Sequence, residues 1–209
     1  MNNFGKMEQR QLDTKRDMET VIREIDARQQ IHDCMMRYCR GVDHADPDLA
    51  LSAYHTDATD DHGSFNGPAK DFVKISLDPA TRSDVLRHLI CNEYVEFDQE
   101  NPHLARAETA VLGTVLRREN DGYRLSVLSC RYLDRFEERA GRWLIADRRL
   151  VLDWEAGGPV LGHAGSFLSN GMLRGIMNTS DPSYGHGFKL WGDAERLPVT
   201  GNRIGTSRD

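Results

Sequence analysis

One stretch of the sequence decides how the chain folds: RYCRGVDHADP, residues 37–47. Its last two residues, Asp46 and Pro47, form a start signal for a helix, because aspartate caps free backbone N–H groups and proline fits the first helical turn. We therefore predict that one helix ends near Asp43 and that a second begins after a sharp corner. Asp43 is not needed as the cap. Its position fits an ordinary helix junction, half of an acid/base site, or part of a metal site.

The helix that leads into this corner has one apolar face. Its members recur at steps of three or four positions, with one polar interruption, as expected for a helix with one buried side. They are Val21, Ile25, Arg28, Ile31, Met35, Tyr38 and Val42. Residues 1–20 are more polar and charged, and we interpret them as an N-terminal extension.

The segment after the second helix contains one strand and one more helix. Residues 55–63 predict a short strand, and Asn66-Gly67-Pro68 ends that strand and opens a third helix. Asp78-Pro79 breaks the third helix, because a residue before proline avoids the helical conformation.

From Val85 the apolar period changes to two, which is typical of strands. The short connections at 120–122 and 140–141 join neighbouring strands in antiparallel fashion. The predicted strands are 86–98, 104–118, 123–138 and 142–154. Helices followed by such strands predict one α+β domain over residues 21–156. Residues 157–209 lose this period, and we interpret them as an irregular C-terminal tail that caps the pocket or a neighbouring subunit.

The composition excludes several classes of protein. The chain has 209 residues, 39% of them hydrophobic and 29% charged, with a net charge of -6. A nucleic-acid binder or a polybasic membrane binder would instead carry a basic patch. No apolar run approaches the roughly 20 residues of a membrane span, and the N-terminus lacks an apolar signal core, so we predict a cytoplasmic protein. The four cysteines show no CxxC spacing and are interpreted as buried thiols.

A polar cluster in the first strand is a candidate metal site, because histidine and carboxylate groups bind divalent metals. On a strand, His55, Asp57 and Asp61 fall on one face, whereas Asp60 and His62 fall on the other. The strand therefore does not bring these side chains together into a single metal site, and no metal is predicted. No glycine-rich phosphate loop follows a strand, so no nucleotide cofactor is predicted either.

Five stretches together resemble the SnoaL-like branch of the NTF2-like superfamily over about residues 20–155. They are residues 37–43, 54–58, 61–63, 131–136 and 141–154. The resemblance implies a cone-shaped α+β barrel in which three N-terminal helices pack on a curved antiparallel sheet. Similar members include scytalone dehydratase, a hexachlorocyclohexane dehydrochlorinase and a bile-acid dehydratase, which use an Asp–His pair and no cofactor.

By motif match, the resemblance places the catalytic acid at Asp43, the histidine at His88 and an assisting tyrosine at Tyr38. A histidine in an apolar cavity is a competent base near neutral pH, and an aspartate orients it. The alternative for His88 is an ordinary core histidine. Tyr38 and Asp43 lie about 140° apart on a regular helix, so Tyr38 also fits a purely structural role.

Four further residues are candidates for substrate binding: Asn92, Arg131, Tyr54 and Ile90. Strand alternation places Ile90 and Asn92 on the same face as His88. Arg131 lies inside the cone if its face of the third long strand is the inner one, and on the surface otherwise.

These observations lead to a functional hypothesis. We predict a cofactor-independent lyase of the dehydratase type, or an isomerase, that acts on a hydrophobic cyclic substrate through His–Asp acid/base catalysis. The alternative is a non-catalytic binding or assembly subunit, like the β subunits of ring-hydroxylating dioxygenases. The resemblance also predicts a homo-oligomer, either a trimer or a dimer.

Overall fold

The computed structural model describes residues 17–80, 82–119, 122–160 and 176–178. Within them, three helices pack on one six-stranded sheet. The helices are α1 (Met18–Asp43), α2 (Pro47–Leu51) and α3 (Ala69–Ser76), and the strands are β1 (Tyr54–Asp61), β2 (Asn66–Pro68), β3 (Val85–Phe97), β4 (Leu104–Glu119), β5 (Gly122–Arg139) and β6 (Arg142–Val160). Most of the predicted N-terminal extension and C-terminal tail, and residues 120–121 of the predicted turn, lie outside the described residues.

The predicted corner between the first two helices is confirmed. The α1 helix ends at Asp43, and the Asp46 side chain caps α2 by accepting the Leu49 backbone N–H at 3.0 Å. Gly41 allows the two helices to approach closely, because a Cβ there would lie 2.3 Å from the backbone nitrogen of Ala50. The corner thus depends on a cap and on one missing side chain.

The buried face of α1 is shorter than the apolar stripe predicts. It begins at Ala27 and includes Ile31, Met35, Tyr38 and Val42. Upstream, Ile22 and Ile25 are exposed on the first turns. In the described residues, no helix is long and apolar enough to cross a membrane.

The sheet has the strand order β2-β1-β6-β5-β4-β3. The antiparallel meander from β3 to β6 is confirmed, and so is the α+β arrangement of helices on a sheet. However, β1 pairs with β6 in parallel, so the sheet is mixed, and its two ends do not join into a closed barrel. No hairpin links β1 to β6, and therefore no tight turn fixes their relative direction.

Two predicted boundaries shift. Residues 66–68 do not simply end the first strand but form β2, which pairs antiparallel with β1. The strand β6 continues past its predicted end at 154, because residues 157–160 pair with residues 123–126. Gly157 suits this pairing, since a Cβ there would lie 2.5 Å from the carbonyl oxygen of Leu125.

A β-bulge in β3 changes which of its residues face the helices. The pairing passes from Ile90 opposite Val111 to Glu93 opposite Thr109, so β3 carries one extra residue. The alternation shifts by one at this point, and Asn92 becomes exposed. The prediction that His88, Ile90 and Asn92 share one face is therefore confirmed for His88 and Ile90 and wrong for Asn92. Cys91 is exposed at the same bulge, whereas the other three cysteines are buried as predicted.

Candidate active site

Asp43 and His88 meet where the end of α1 faces β3. The Asp43 Oδ1 atom lies 2.6 Å from His88 Nδ1, and Asp43 Oδ2 accepts the His88 backbone N–H at 3.1 Å. Arg87 also donates to the Asp43 backbone carbonyl at 3.2 Å. Both side chains are nearly buried, with 10% of Asp43 and 12% of His88 exposed. The aspartate is thus held against both the ring and the backbone of its histidine.

This geometry orients the imidazole. An ionised carboxylate only accepts hydrogen bonds, so His88 Nδ1 carries the proton that Asp43 accepts. The lone pair of the neutral ring is then on Nε2, which has no hydrogen-bond partner among the described residues. Asp43 would also stabilise the imidazolium that forms when Nε2 takes a proton. The pair can therefore act as an oriented general base.

Tyr38 reaches this pair although α1 remains a regular helix through Gly41. Its ring centroid lies 6.2 Å from that of His88, because the long side chain spans the angle between the two helix positions. Burial raises the pKa of the Tyr38 phenol above its usual range, although the charge of Arg148 opposes this shift. Tyr38 is therefore a neutral phenol that can donate a hydrogen bond.

A buried charged residue that the sequence did not predict lies next to Tyr38. Arg148 is fully buried, and its guanidinium binds both carboxylate oxygens of Asp134 at 2.8 and 2.7 Å. It contacts the rings of both Tyr38 and Tyr132, at 4.2 and 4.0 Å from their centroids. Burial is the largest single effect on Arg148 and opposes its charge. The attraction and hydrogen bonds of Asp134, together with the nearby tyrosines, outweigh burial and raise the pKa of the guanidinium.

A chain of hydrogen bonds continues from Arg148 to a second histidine. Arg148 donates to the Tyr54 hydroxyl at 3.4 Å, and that hydroxyl donates to Asp60 Oδ2 at 2.6 Å. The other oxygen of Asp60 forms a short hydrogen bond with His62 Nδ1. Tyr54 is therefore a buried link between Arg148 and Asp60. Among the described residues, no group of three or more histidine, cysteine or acidic side chains is arranged to hold a metal ion.

Two predicted substrate-binding residues lie away from the Asp43–His88 pair. Arg131 forms a bidentate pair with Asp153 on the outer face of the sheet, with its shortest contact at 2.9 Å. Asn92 is exposed beyond the bulge. For Arg131, the interpretation as a surface residue is the correct one, because the inner face of β5 carries its even-numbered neighbours Tyr132 and Asp134.

The strand register places apolar residues on the inner face around His88. Across the sheet, His88 lies opposite Gly113, and Gly113 lies opposite Leu128. The neighbouring row contains Ile90, Val111, Cys130 and Leu152. Gly113 leaves room beside the imidazole, since a Cβ there would meet nothing nearer than 3.9 Å. Ile90 is thus adjacent to His88 on an apolar wall.

The model of the SnoaL-like domain family matches residues 23–149, which is more than half of the chain. The chain belongs to the SnoaL-like family. No curated protein matches the sequence.

Solved structures share the fold at low sequence identity. A scytalone dehydratase-like protein from Novosphingobium aromaticivorans is 18% identical with a TM-score of 0.58, over 69% of this chain and 99% of that one. A hexachlorocyclohexane dehydrochlorinase from Novosphingobium barchaimii is 17% identical with a TM-score of 0.58, over 70% and 98%. An aromatic ring hydroxylase-like protein from N. aromaticivorans is 22% identical with a TM-score of 0.54, over 64% and 94%. These likenesses confirm the SnoaL-like, NTF2-like fold.

Proposed function

We propose that this protein is a cofactor-independent lyase that eliminates water from a hydrophobic cyclic substrate. The observation that carries the proposal is the 2.6 Å contact between Asp43 and His88 Nδ1, which leaves Nε2 as an oriented base. A base in this position removes a proton from carbon next to an activating carbonyl, and the leaving group departs as the double bond forms. Double-bond migration would begin with the same proton abstraction.

The surroundings of the pair support this chemistry. Apolar residues flank His88 along β3, β4 and β5, and exclusion of water strengthens the electrostatic interaction between Asp43 and the imidazolium. Tyr38 supplies a neutral phenol close to the ring. Two proteins of similar fold have names that refer to elimination reactions. One is named a dehydrochlorinase, and the other is scytalone dehydratase-like.

A cyclic β-hydroxy ketone tests the proposal. Loss of water from 3-hydroxy-1-tetralone gives 1-naphthol, which is measured by its fluorescence. We expect turnover by the native protein, and a loss of about 100-fold or more in kcat/KM in His88→Ala and Asp43→Asn, because general acid–base catalysis contributes this much. The matched control is His32→Ala, since His32 is paired with Glu93 away from Asp43 and is half exposed.

The alternative function is that of a non-catalytic binding or assembly subunit, and the same assay separates the two. A subunit of that kind would not convert the ketone, and the two substitutions would change nothing. Equal turnover in native protein, His88→Ala and Asp43→Asn would likewise contradict the proposed chemistry.

A further inference from the structure

A second histidine–aspartate pair lies on the same inner side of the sheet as the first. His62 follows the end of β1, and its Nδ1 is bound to Asp60, which is only 1% exposed. Asp60 lies directly opposite Arg148 in the register, and Arg148 in turn lies opposite Asp134 on the inner face. His62 comes two residues after Asp60 and therefore lies next to the row of paired strand residues that contains Tyr132.

The aromatic rings connect the two pairs in space. The His62 ring lies 6.1 Å from Tyr132, Tyr132 lies 5.8 Å from Tyr38, and Tyr38 lies 6.2 Å from His88. The histidines come from strands near opposite edges of the sheet, since His88 is on the edge strand β3 and His62 follows β1. The two histidines thus lie at the two ends of a row of aromatic rings that contains Tyr132 and Tyr38.

The His62 ring is held in one orientation. It stacks on Phe72 of α3 with a centroid separation of 3.9 Å, and Asp60 binds its Nδ1. Asp60 is itself fixed, because its second oxygen accepts the Tyr54 hydroxyl. His62 Nε2 has no hydrogen-bond partner among the described residues, and 14% of the side chain is exposed. This nitrogen is therefore available to a ligand.

We propose that His62 is a second catalytic residue, the general acid that protonates the leaving oxygen, and that Asp60 is its positioning residue. This inference rests on the proposed function. In the step, His88 Nε2 takes the proton from carbon, and the electrons of the C–H bond form the C=C bond. The C–O bond breaks with its electron pair on oxygen, and the oxygen takes the Nε2 proton of the His62 imidazolium to leave as water. Asp60 stabilises that imidazolium before the transfer, and both histidines return to their first state by proton exchange with solvent.

Two probes with different leaving groups test this role. Hydroxide needs a proton to leave 3-hydroxy-1-tetralone, whereas chloride leaves 3-chloro-1-tetralone without one, and both eliminations give 1-naphthol. We expect His62→Gln to lower kcat for the hydroxy probe by about 100-fold and to leave kcat for the chloro probe unchanged, after subtraction of the spontaneous reaction. His88→Ala should lower kcat for both probes. Asp60→Asn should also lower kcat for the hydroxy probe, by a smaller factor, and leave kcat for the chloro probe unchanged.

The outcomes separate the two proposals. Equal losses on both probes in His62→Gln would assign the histidine a structural role and overturn the inference, while the proposed function would stand. No effect of His62→Gln on the hydroxy probe would also overturn it. If native protein converts neither probe, or if His88→Ala converts both at the native rate, the proposed function fails and the inference fails with it. Thermal unfolding of His62→Gln checks that the loss of its contact with Phe72 leaves the fold intact.

Discussion

At the scale of single residues, two charged contacts organise the inner face of the sheet: Asp43 binds His88 at 2.6 Å, and Arg148 binds Asp134 at 2.7 Å. The motif match brings Asp43 and His88 together, and their catalytic role stays a prediction.

The sequence did not predict the buried Arg148. Its role depends on which face of β5 and β6 is inner, and alternation within one strand does not decide this. The residue types on the two faces of β5 would have decided which face is inner. One face carries Arg131 and Arg135, and the other carries the aromatic residues Tyr132 and Phe136.

The Arg148–Asp134 pair should be important for stability. In Asp134→Asn the guanidinium stays buried and loses its counter-charge, and breaking a buried pair in this way costs about 3–5 kcal/mol. Urea unfolding should show this loss in the free energy of unfolding. Glu119→Gln is the matched control, because it removes the pair with Arg124, in which both side chains are about half exposed. An Asp134→Asn variant as stable as native protein would contradict this account of the core.

At the scale of elements, the three helices, the corner at Asp46 and all strands except β2 follow from period and capping. The bulge in β3 and the parallel pairing of β1 with β6 do not. A bulge adds one residue without any special residue type at Cys91 or Asn92, so the alternating pattern looks continuous in the sequence. Parallel pairing between distant strands depends on tertiary packing, which no local signal encodes.

The corner between α1 and α2 should not tolerate a side chain at Gly41. Gly41→Ala places a methyl group 2.3 Å from the Ala50 backbone, and overpacking of this kind costs about 1–3 kcal/mol. We also expect reduced turnover, because the backbone shift moves Asp43. Gly158→Ala is the control, since a Cβ there has nothing within 4 Å. Calorimetry measures the Tm of both variants. An unchanged Tm in Gly41→Ala would contradict the close packing of α1 against α2 at this position.

At the scale of the whole molecule, one row of the outer face carries exposed apolar residues. Leu89, Leu112, Ser129 and Trp154 lie side by side across four strands, with Leu89 48% and Trp154 51% exposed. Large exposed apolar patches mark interaction surfaces. The neighbouring part of this face carries both signs of charge, as in the pair of Arg131 with Asp153, so a second copy of the chain can complement it.

The predicted homo-oligomer should therefore form through this outer face. Trp154→Glu puts a charge into the apolar row and should reduce the mass measured by light scattering to that of a monomer. Leu152→Glu is the control, because Leu152 is equally exposed but pairs with Cys130 on the inner face. A monomeric native protein, or a Trp154→Glu variant of unchanged mass, would contradict the prediction.

The proposed function requires that His88, held by Asp43, removes a proton from carbon. The most direct test uses 1-tetralone, which has the activating carbonyl but no leaving group, in deuterated water with detection by proton NMR. We expect native protein to accelerate deuterium incorporation next to the carbonyl, His88→Ala to lose this acceleration and His62→Gln to keep it. Exchange by His88→Ala at the native rate would contradict a role for His88 as the base.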